Sequence, residues 1–251
     1  MYKKIAHRAN INGLLENSLA AIQSCAQQSV EGIEIDIRHT ADESPIVFHD
    51  AHFQRLTVSH QPLSQDAPLV HQLKLEDIQH DFKLVNGEPI PRLEDALDLV
   101  KKKNIMVFIE LKDKIKPKTL QIIKEHFIYS LEQLRIISFD HEALYSLKRH
   151  DDFYSKVKML ALHEIPRTTW IPRALQGIEG VNANIYHPLH AAYLKAKGFE
   201  VGIWWLPDKI PPLLAKALFG YIDYFTTDNY EKYWGLLTFY LASHDLGLAT
   251  K

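Results

Sequence analysis

The sequence predicts an α/β fold, a (β/α)8 TIM barrel with a small insertion after the second strand. Three observations carry that prediction. Short β-branched runs alternate with longer amphipathic ones through most of the 251 residues. A hydrophobic content of 46% is enough to bury a large core. The Gly-rich phosphate turn that a doubly wound open sheet carries after its first strand is missing.

Strands are expected over 4–7, 32–38, 105–111, 134–138, 156–162, 180–184, 200–204 and 222–226, each a short apolar run between polar stretches. Between them, apolar spacing predicts helices over 16–28, 93–102, 117–129, 141–149, 188–197, 211–219 and 230–241. Asp140 is placed as an N-cap, Gly198 lies past a C-terminus, and Pro211-Pro212 stands near a start. The stretch 164–176 is helix-like but holds two prolines. The rhythm breaks over 51–91, which is polar, rich in His, Gln and Asp, and periodic only around a short helix at 74–80. This segment follows a strand at 46–49 and is expected to cover one mouth of the barrel. The whole chain, 1–251, reads as a single domain around it.

A formal net charge of -2, with no long basic or acidic block, points away from nucleic acid. The single cysteine, Cys25, excludes an internal disulfide framework and suits a reducing compartment. The first residues, MYKKIAHRAN, are not a signal peptide, and no run approaches the ~18 apolar residues of a membrane span. A cytoplasmic protein with no stable membrane insertion is the expectation. Its oligomeric state is left open.

The stretch GIEIDIRHTADESPIVFHD, 32–50, puts two carboxylates among isoleucines. Residues two apart share a strand face, so Glu34 and Asp36 point one way and Ile33, Ile35 and Ile37 the other. In a barrel the isoleucines meet the helices and the acids face the interior. Unpaired buried carboxylates are too costly to keep, which implies a cation between them. VFIELKDK repeats the device, with Glu110 and Lys112 opposite Ile109 and Leu111, while the first strand ends on His7 and Arg8. With His49 just beyond the second strand, all of these fall at C-terminal strand ends, where barrels build active sites. Three hard oxygen ligands, Glu34, Asp36 and Glu110, suit Mg2+ or Ca2+ better than Zn2+. His7 and His49 are placed as general acid and base, and Arg8 and Lys112 as fixed positive charge for an oxyanion. A divalent ion with these three acids and two cations leaves one positive charge, the complement of a phosphodiester.

At these residues the sequence resembles the glycerophosphodiester phosphodiesterase family. HRAN and LLENSLAA correspond to that family's H-R-G strand end and P-E-N-T helix start, and EIDIRHTADESPIVFHD to its E-x-D…T-x-D-G…H-D block. IPRLEDAL, FIELK, ISFDHEALYSL, VGIWW and FTTDN follow in the family's order, so the resemblance covers nearly the whole chain. It implies metal-dependent cleavage of small glycerophosphodiesters, such as glycerophosphocholine or glycerophosphoethanolamine, to glycerol 3-phosphate and an alcohol. Carried across, His7 and His49 match the catalytic histidines, Glu34, Asp36 and Glu110 the ligands of one divalent cation, and Arg8 and Lys112 the phosphate-binding cations. Glu16 and Asn17 match a supporting pair, and Trp204 an aromatic lining the glycerol or head-group pocket. Ala9 replaces the glycine after H-R, Leu15 the proline and Ser18 the threonine. Glu43-Ser44 stands where D-G continues, Trp205-Leu206-Pro207 replaces T-V-N and Asn229-Tyr230 replaces R-P. These departures touch the shape of the pocket more than its charged groups.

Plainer readings hold elsewhere. The remaining histidines are expected on loops and polar faces, with His163, at the end of the fifth barrel strand, the one to watch. Trp205 is expected under a helix and Asp228 as the cap of the last helix. Three rival functions stay open: a phospholipase-type phosphodiesterase, a non-catalytic glycerophosphodiester-binding protein, and a two-metal hydrolase in which His7 and His49 are ligands. The first needs a membrane-facing surface, and 51–91 shows no aromatic cluster or basic stripe.

Overall fold

The computed structural model describes residues 2–28, 30–60, 67–101, 103–164, 177–184, 187–204 and 212–228. Its strands are β1 (Lys3–Ala6), β2 (Gly32–His39), β3 (Pro45–Val47), β4 (Thr57–Ser59), β5 (Phe82–Leu84), β6 (Met106–Leu111), β7 (Leu134–Ser138), β8 (Lys158–His163), β9 (Gly180–Ala183), β10 (Glu200–Ile203) and β11 (Tyr224–Thr227). Its helices are α1 (Leu19–Gln28), α2 (Leu75–Asp81), α3 (Leu93–Val100), α4 (Pro117–Phe127), α5 (His141–His150), α6 (Pro188–Ala196) and α7 (Pro212–Phe219).

Neighbouring strands β2, β6, β7, β8, β9, β10 and β11 pair in parallel, and β1 pairs with both β2 and β11, so the sheet closes. The result is the expected eight-stranded (β/α)8 barrel, with β3 added antiparallel to the end of β2. Alternation sorts the side chains as the sequence reading required. Ile33, Ile35 and Ile37 are buried between the sheet and the helices, in one cluster with Ile22, Leu93 and Leu97. Each such side chain contributes about 1.5–3 kcal/mol on leaving water. Inside the barrel, Ile5, Met106, Phe108, Ile137, Leu160, Leu162 and Tyr224 form a separate apolar floor. Beneath it, Arg135 reaches Glu200 at 3.1 Å and Tyr224 at 2.9 Å, and Lys158 pairs with Glu200, which closes the N-terminal mouth.

Element ends follow local chemistry. Asp140 caps α5 by accepting from the Ala143 N–H, as expected, and Gly198 takes φ +86 just beyond α6. Helix α1 starts three residues later than periodicity suggests, at Leu19 instead of Glu16, because Asn17 sits at φ +55. Ser18 Oγ then accepts from the Ala21 N–H, doing the work of a cap. The helix expected over 230–241, nearly all of 164–176, and Trp205 lie outside the described residues.

The segment after β3 is more ordered than its polarity suggested. It contains α2, close to the expected short helix, and an antiparallel β4–β5 ladder that the sequence reading missed. Phe53, Leu56, Val70, Ile78, Phe82, Leu84 and Ile90 build a small core of their own with Ile46 and Phe48. Phe53 stacks on Phe82 at 4.7 Å and meets Phe48 at 5.2 Å, so an aromatic cluster is present after all. It was missed because Phe82 lies far in sequence from Phe48 and Phe53. All three rings are buried, so they offer no aromatic face to a membrane. Among the described residues, no helix is long and apolar enough to cross a bilayer.

Candidate active site

The strand ends bring the predicted residues to one cavity of about 240 Å³, whose lining includes His7, Arg8, Glu34, His49, Glu110 and Lys112. Glu34 and Asp36 share the inner face of β2, level with Phe108 and Glu110 of β6. They are 2% and 0% exposed, and Glu110 is 7%. One oxygen from each of these three carboxylates lies within 4.8 Å of the others, a spacing able to hold a metal ion. Glu34 Oε1 is buried with no hydrogen-bond donor. Lys112 Nζ sits 3.1 Å from Asp36 Oδ1 and 2.6 Å from Glu110 Oε1, as ion pairs that lack hydrogen-bond alignment. An orphaned carboxylate oxygen beside two others is what a hard divalent cation satisfies, so the donor set fits one.

The chain turns sharply after β1 and presents His7 and Arg8 to the cavity. Arg8 and Ala9 adopt left-handed backbone, φ +50 and φ +54, a strained choice for residues with a Cβ. The same conformation explains the glycine found at the position of Ala9 in the resembled pattern. Glu43 is likewise at φ +59. The turn aims the Arg8 backbone N–H at Glu34 Oε2 (2.8 Å) and sends the guanidinium to Glu16 (2.8 Å) and to within 3.5 Å of Asp36. Asn17 locks Asp36 from two sides, donating to its carboxylate at 2.8 Å and accepting from its backbone N–H at 3.2 Å. Glu16 and Asn17, the expected supporting pair, are thus in contact with Arg8 and Asp36 respectively.

Electrostatics separates the three acids. Burial, and then the charge of Asp36, raise the Glu34 carboxyl above its ordinary range. Burial and Asp36 raise Glu110 too, with Lys112 opposing them. Burial alone would raise Asp36, but Lys112, His49, Arg8 and the Asn17 amide together hold it below the usual range. The two histidines are also pushed apart. Burial lowers the His7 imidazole, yet a hydrogen bond to Asp228 and the charges of Glu34 and Asp228 bring it above its ordinary value. His49 is held below, by burial and by Lys112 and Arg8, against the pull of Asp36 and Asp50.

Each histidine has its own carboxylate. His7 Nδ1 lies 2.6 Å from Asp228 and His49 Nδ1 lies 2.7 Å from Asp50. A ring whose Nδ1 is fixed in this way has Nε2 left for proton exchange. Sequence reasoning gave Asp228 to a helix cap and did not weigh Asp50 as a site residue. The H-D pair itself was the visible signal for Asp50, whereas the reach from Asp228 to His7 spans the barrel closure. Arg55 was missed as well. From the segment after β3 it clamps Asp50 (2.8 and 3.0 Å) and Glu16 (3.1 and 2.7 Å), linking the His49 pair to Arg8. Arg55 and His49 hold the Asp50 carboxyl down to about 2 against its burial.

Trp204 lines the far wall of the cavity, edge-on to Phe139 at 6.4 Å. His163 ends β8 and packs against His141 at 4.6 Å, half-buried rather than solvated. His39, expected on a polar face, is buried on β2, with Nε2 at 2.8 Å from Thr119.

Comparison with known proteins agrees with this geometry. The model of the glycerophosphoryl diester phosphodiesterase family matches residues 7–217. A glycerophosphodiester phosphodiesterase of Caldanaerobacter subterraneus is 33% identical over 153 residues, 58% of this chain and 61% of that protein. One of Bacillus altitudinis is 29% identical over 217 residues, 80% of this chain and 86% of that protein. Among solved structures, an Oleispira antarctica phosphodiesterase in complex with the product sn-glycerol-3-phosphate is similar with a TM-score of 0.75. The match covers 94% of this chain and 96% of that one, and at 21% identity it speaks for the fold. The chain thus spans about three fifths of the first relative's length, 61%, and nearly all of the solved structure's, 96%. With the family model covering most of its residues, including the histidines and acids gathered at the barrel mouth, this chain belongs to the glycerophosphoryl diester phosphodiesterase family.

Proposed function

We propose that this chain hydrolyses small glycerophosphodiesters, such as glycerophosphocholine or glycerophosphoethanolamine, to glycerol 3-phosphate and an alcohol, acting as one barrel domain with its insertion. One observation carries the reading: two carboxylate-anchored imidazoles line the same cavity as two cations and Glu34 and Glu110, which cluster with the buried Asp36. The named product in the Oleispira antarctica complex supports it for the fold.

Glu34, Asp36 and Glu110 would hold one divalent cation, Mg2+ or Ca2+, which supplies charge neutralisation and polarisation at a phosphoryl oxygen. Arg8 and Lys112 bind and orient the phosphate, and with the cation and the three carboxylates they leave one positive charge to match its single negative charge. His7 and His49 form the acid–base pair: one accepts a proton from the attacking hydroxyl, and the other gives one to the departing alkoxide, each through Nε2. Asp228 and Asp50 fix the two tautomers. Glu16, Asn17 and Arg55 hold Arg8, Asp36 and Asp50 in place.

The test is release of glycerol 3-phosphate from a panel of glycerophosphodiesters, before and after exhaustive chelation. Turnover that EDTA abolishes and that Mg2+ or Ca2+ restores is expected. Undiminished activity after chelation would remove the metal from the mechanism.

A further inference from the structure

Strands β9, β10 and β11 bring to the same cavity polar atoms that the chemistry described above does not use. Asn182 on β9 and Thr226 on β11 both line the cavity, at 1% and 2% exposure. Asn182 Oδ1 and Thr226 Oγ1 are buried without a hydrogen-bond partner, and so is Trp204 Nε1, at the end of the intervening β10. The sheet makes room for the first of these. Gly202 pairs in register with Asn182, and a Cβ on Gly202 would stand 2.8 Å from Oδ1. Buried polar atoms left unpaired cost about 1–3 kcal/mol each, so they are kept where something else satisfies them.

We propose that Asn182 and Thr226 form a specificity-determining subsite that hydrogen-bonds the free hydroxyls of the substrate's glyceryl arm. The inference rests on the glycerophosphodiester reading and names which arm of the diester enters the deep half of the cavity. The complementarity is one of type. Asn182 Oδ1 accepts, Trp204 Nε1 donates and Thr226 Oγ1 does either, while a vicinal diol offers two donors and two acceptors. A quaternary ammonium head group has no hydrogen-bonding capacity and would leave all three atoms unpaired. An ammonium offers only donors, which leaves Trp204 Nε1 unanswered. The departing alcohol is therefore assigned to the open rim, where Phe139 and Glu164 are exposed.

The probe pair is glycerol 3-phosphate and n-propyl phosphate, which share a phosphate and a three-carbon chain and differ in the hydroxyls. Calorimetric titration of each, with Mg2+ held constant and again in EDTA, reads the subsite without requiring turnover. The wild type should bind glycerol 3-phosphate at least about tenfold more tightly. Thr226→Val and Asn182→Leu should bring the ratio close to one, Thr226→Ser should restore it, and His49→Ala should keep it. A ratio that survives in both Thr226→Val and Asn182→Leu, or that is absent from the wild type, overturns the proposal and leaves these atoms to structural water. Turnover of glycerophosphocholine by the same wild-type preparation separates the two readings. Turnover with a variant-insensitive ratio sinks the subsite alone, and a variant-sensitive ratio without turnover sinks the hydrolase alone.

Discussion

At the residue scale, the two classes of charged group at the barrel mouth should fail in different ways. Removing His7 or His49 takes away a proton carrier but leaves the three acids, so each alanine variant should lose roughly a hundredfold or more in rate with metal affinity nearly intact. Glu34→Ala or Glu110→Ala should instead weaken metal binding, with activity partly recovered at high Mg2+ or Ca2+. Titrating metal into each variant while following turnover separates them, and rescue of a histidine variant by metal alone would make that histidine a ligand. Arg55 supports a further expectation. It touches Asp50 and Glu16, not the acid cluster. Arg55→Ala should therefore lower kcat about tenfold, by loosening the His49–Asp50 pair, while leaving metal affinity unchanged. An equal loss in Asp50→Ala and in the double variant would show the two acting as one unit, whereas independent losses would multiply.

At the scale of elements, the segment after β3 is proposed to restrict access to the site. It carries its own buried core, and Arg55 ties it to the Glu16 side of the site. Phe53 and Phe82 are buried in that core, so neither ring is offered to a bilayer. The expected consequence is selection for short, deacylated diesters. Comparable turnover of intact phospholipid vesicles and soluble glycerophosphodiesters would count against that role.

At the scale of the whole molecule, closure of the sheet draws three acids into a nearly dry interior, where their mutual repulsion opposes folding. A cation that binds the folded barrel and not the unfolded chain stabilises by mass action. Thermal melting in EDTA and with increasing Mg2+ or Ca2+ should show a midpoint that climbs with metal concentration, by several degrees at about a hundred times Kd. The climb should vanish in a Glu34→Ala, Glu110→Ala double variant and persist in His49→Ala. A midpoint indifferent to metal would mean that Lys112 and Arg8 neutralise the cluster without a metal ion.

Alternation by itself determined a good deal here. Period two in GIEIDIRH fixed which side chains face the helices and which face the interior, and the positions of His7, Arg8, Glu110 and Lys112 at strand ends put them on the catalytic face of any barrel. Those are local rules, readable along one stretch of chain. The tertiary structure decided what depends on closure. Asp228 reaches His7 only because β11 pairs with β1, across 221 positions of sequence. Arg55 reaches Glu16 only because the segment after β3 folds back on a core whose phenylalanines are scattered through it. Asn182 and Thr226 read as ordinary strand residues until the barrel seals them beside a cavity with no partner in reach. Periodicity constrains the direction of a side chain; only the closed sheet fixes what stands opposite it, because that pairing is set by strand order and register rather than by nearness in sequence.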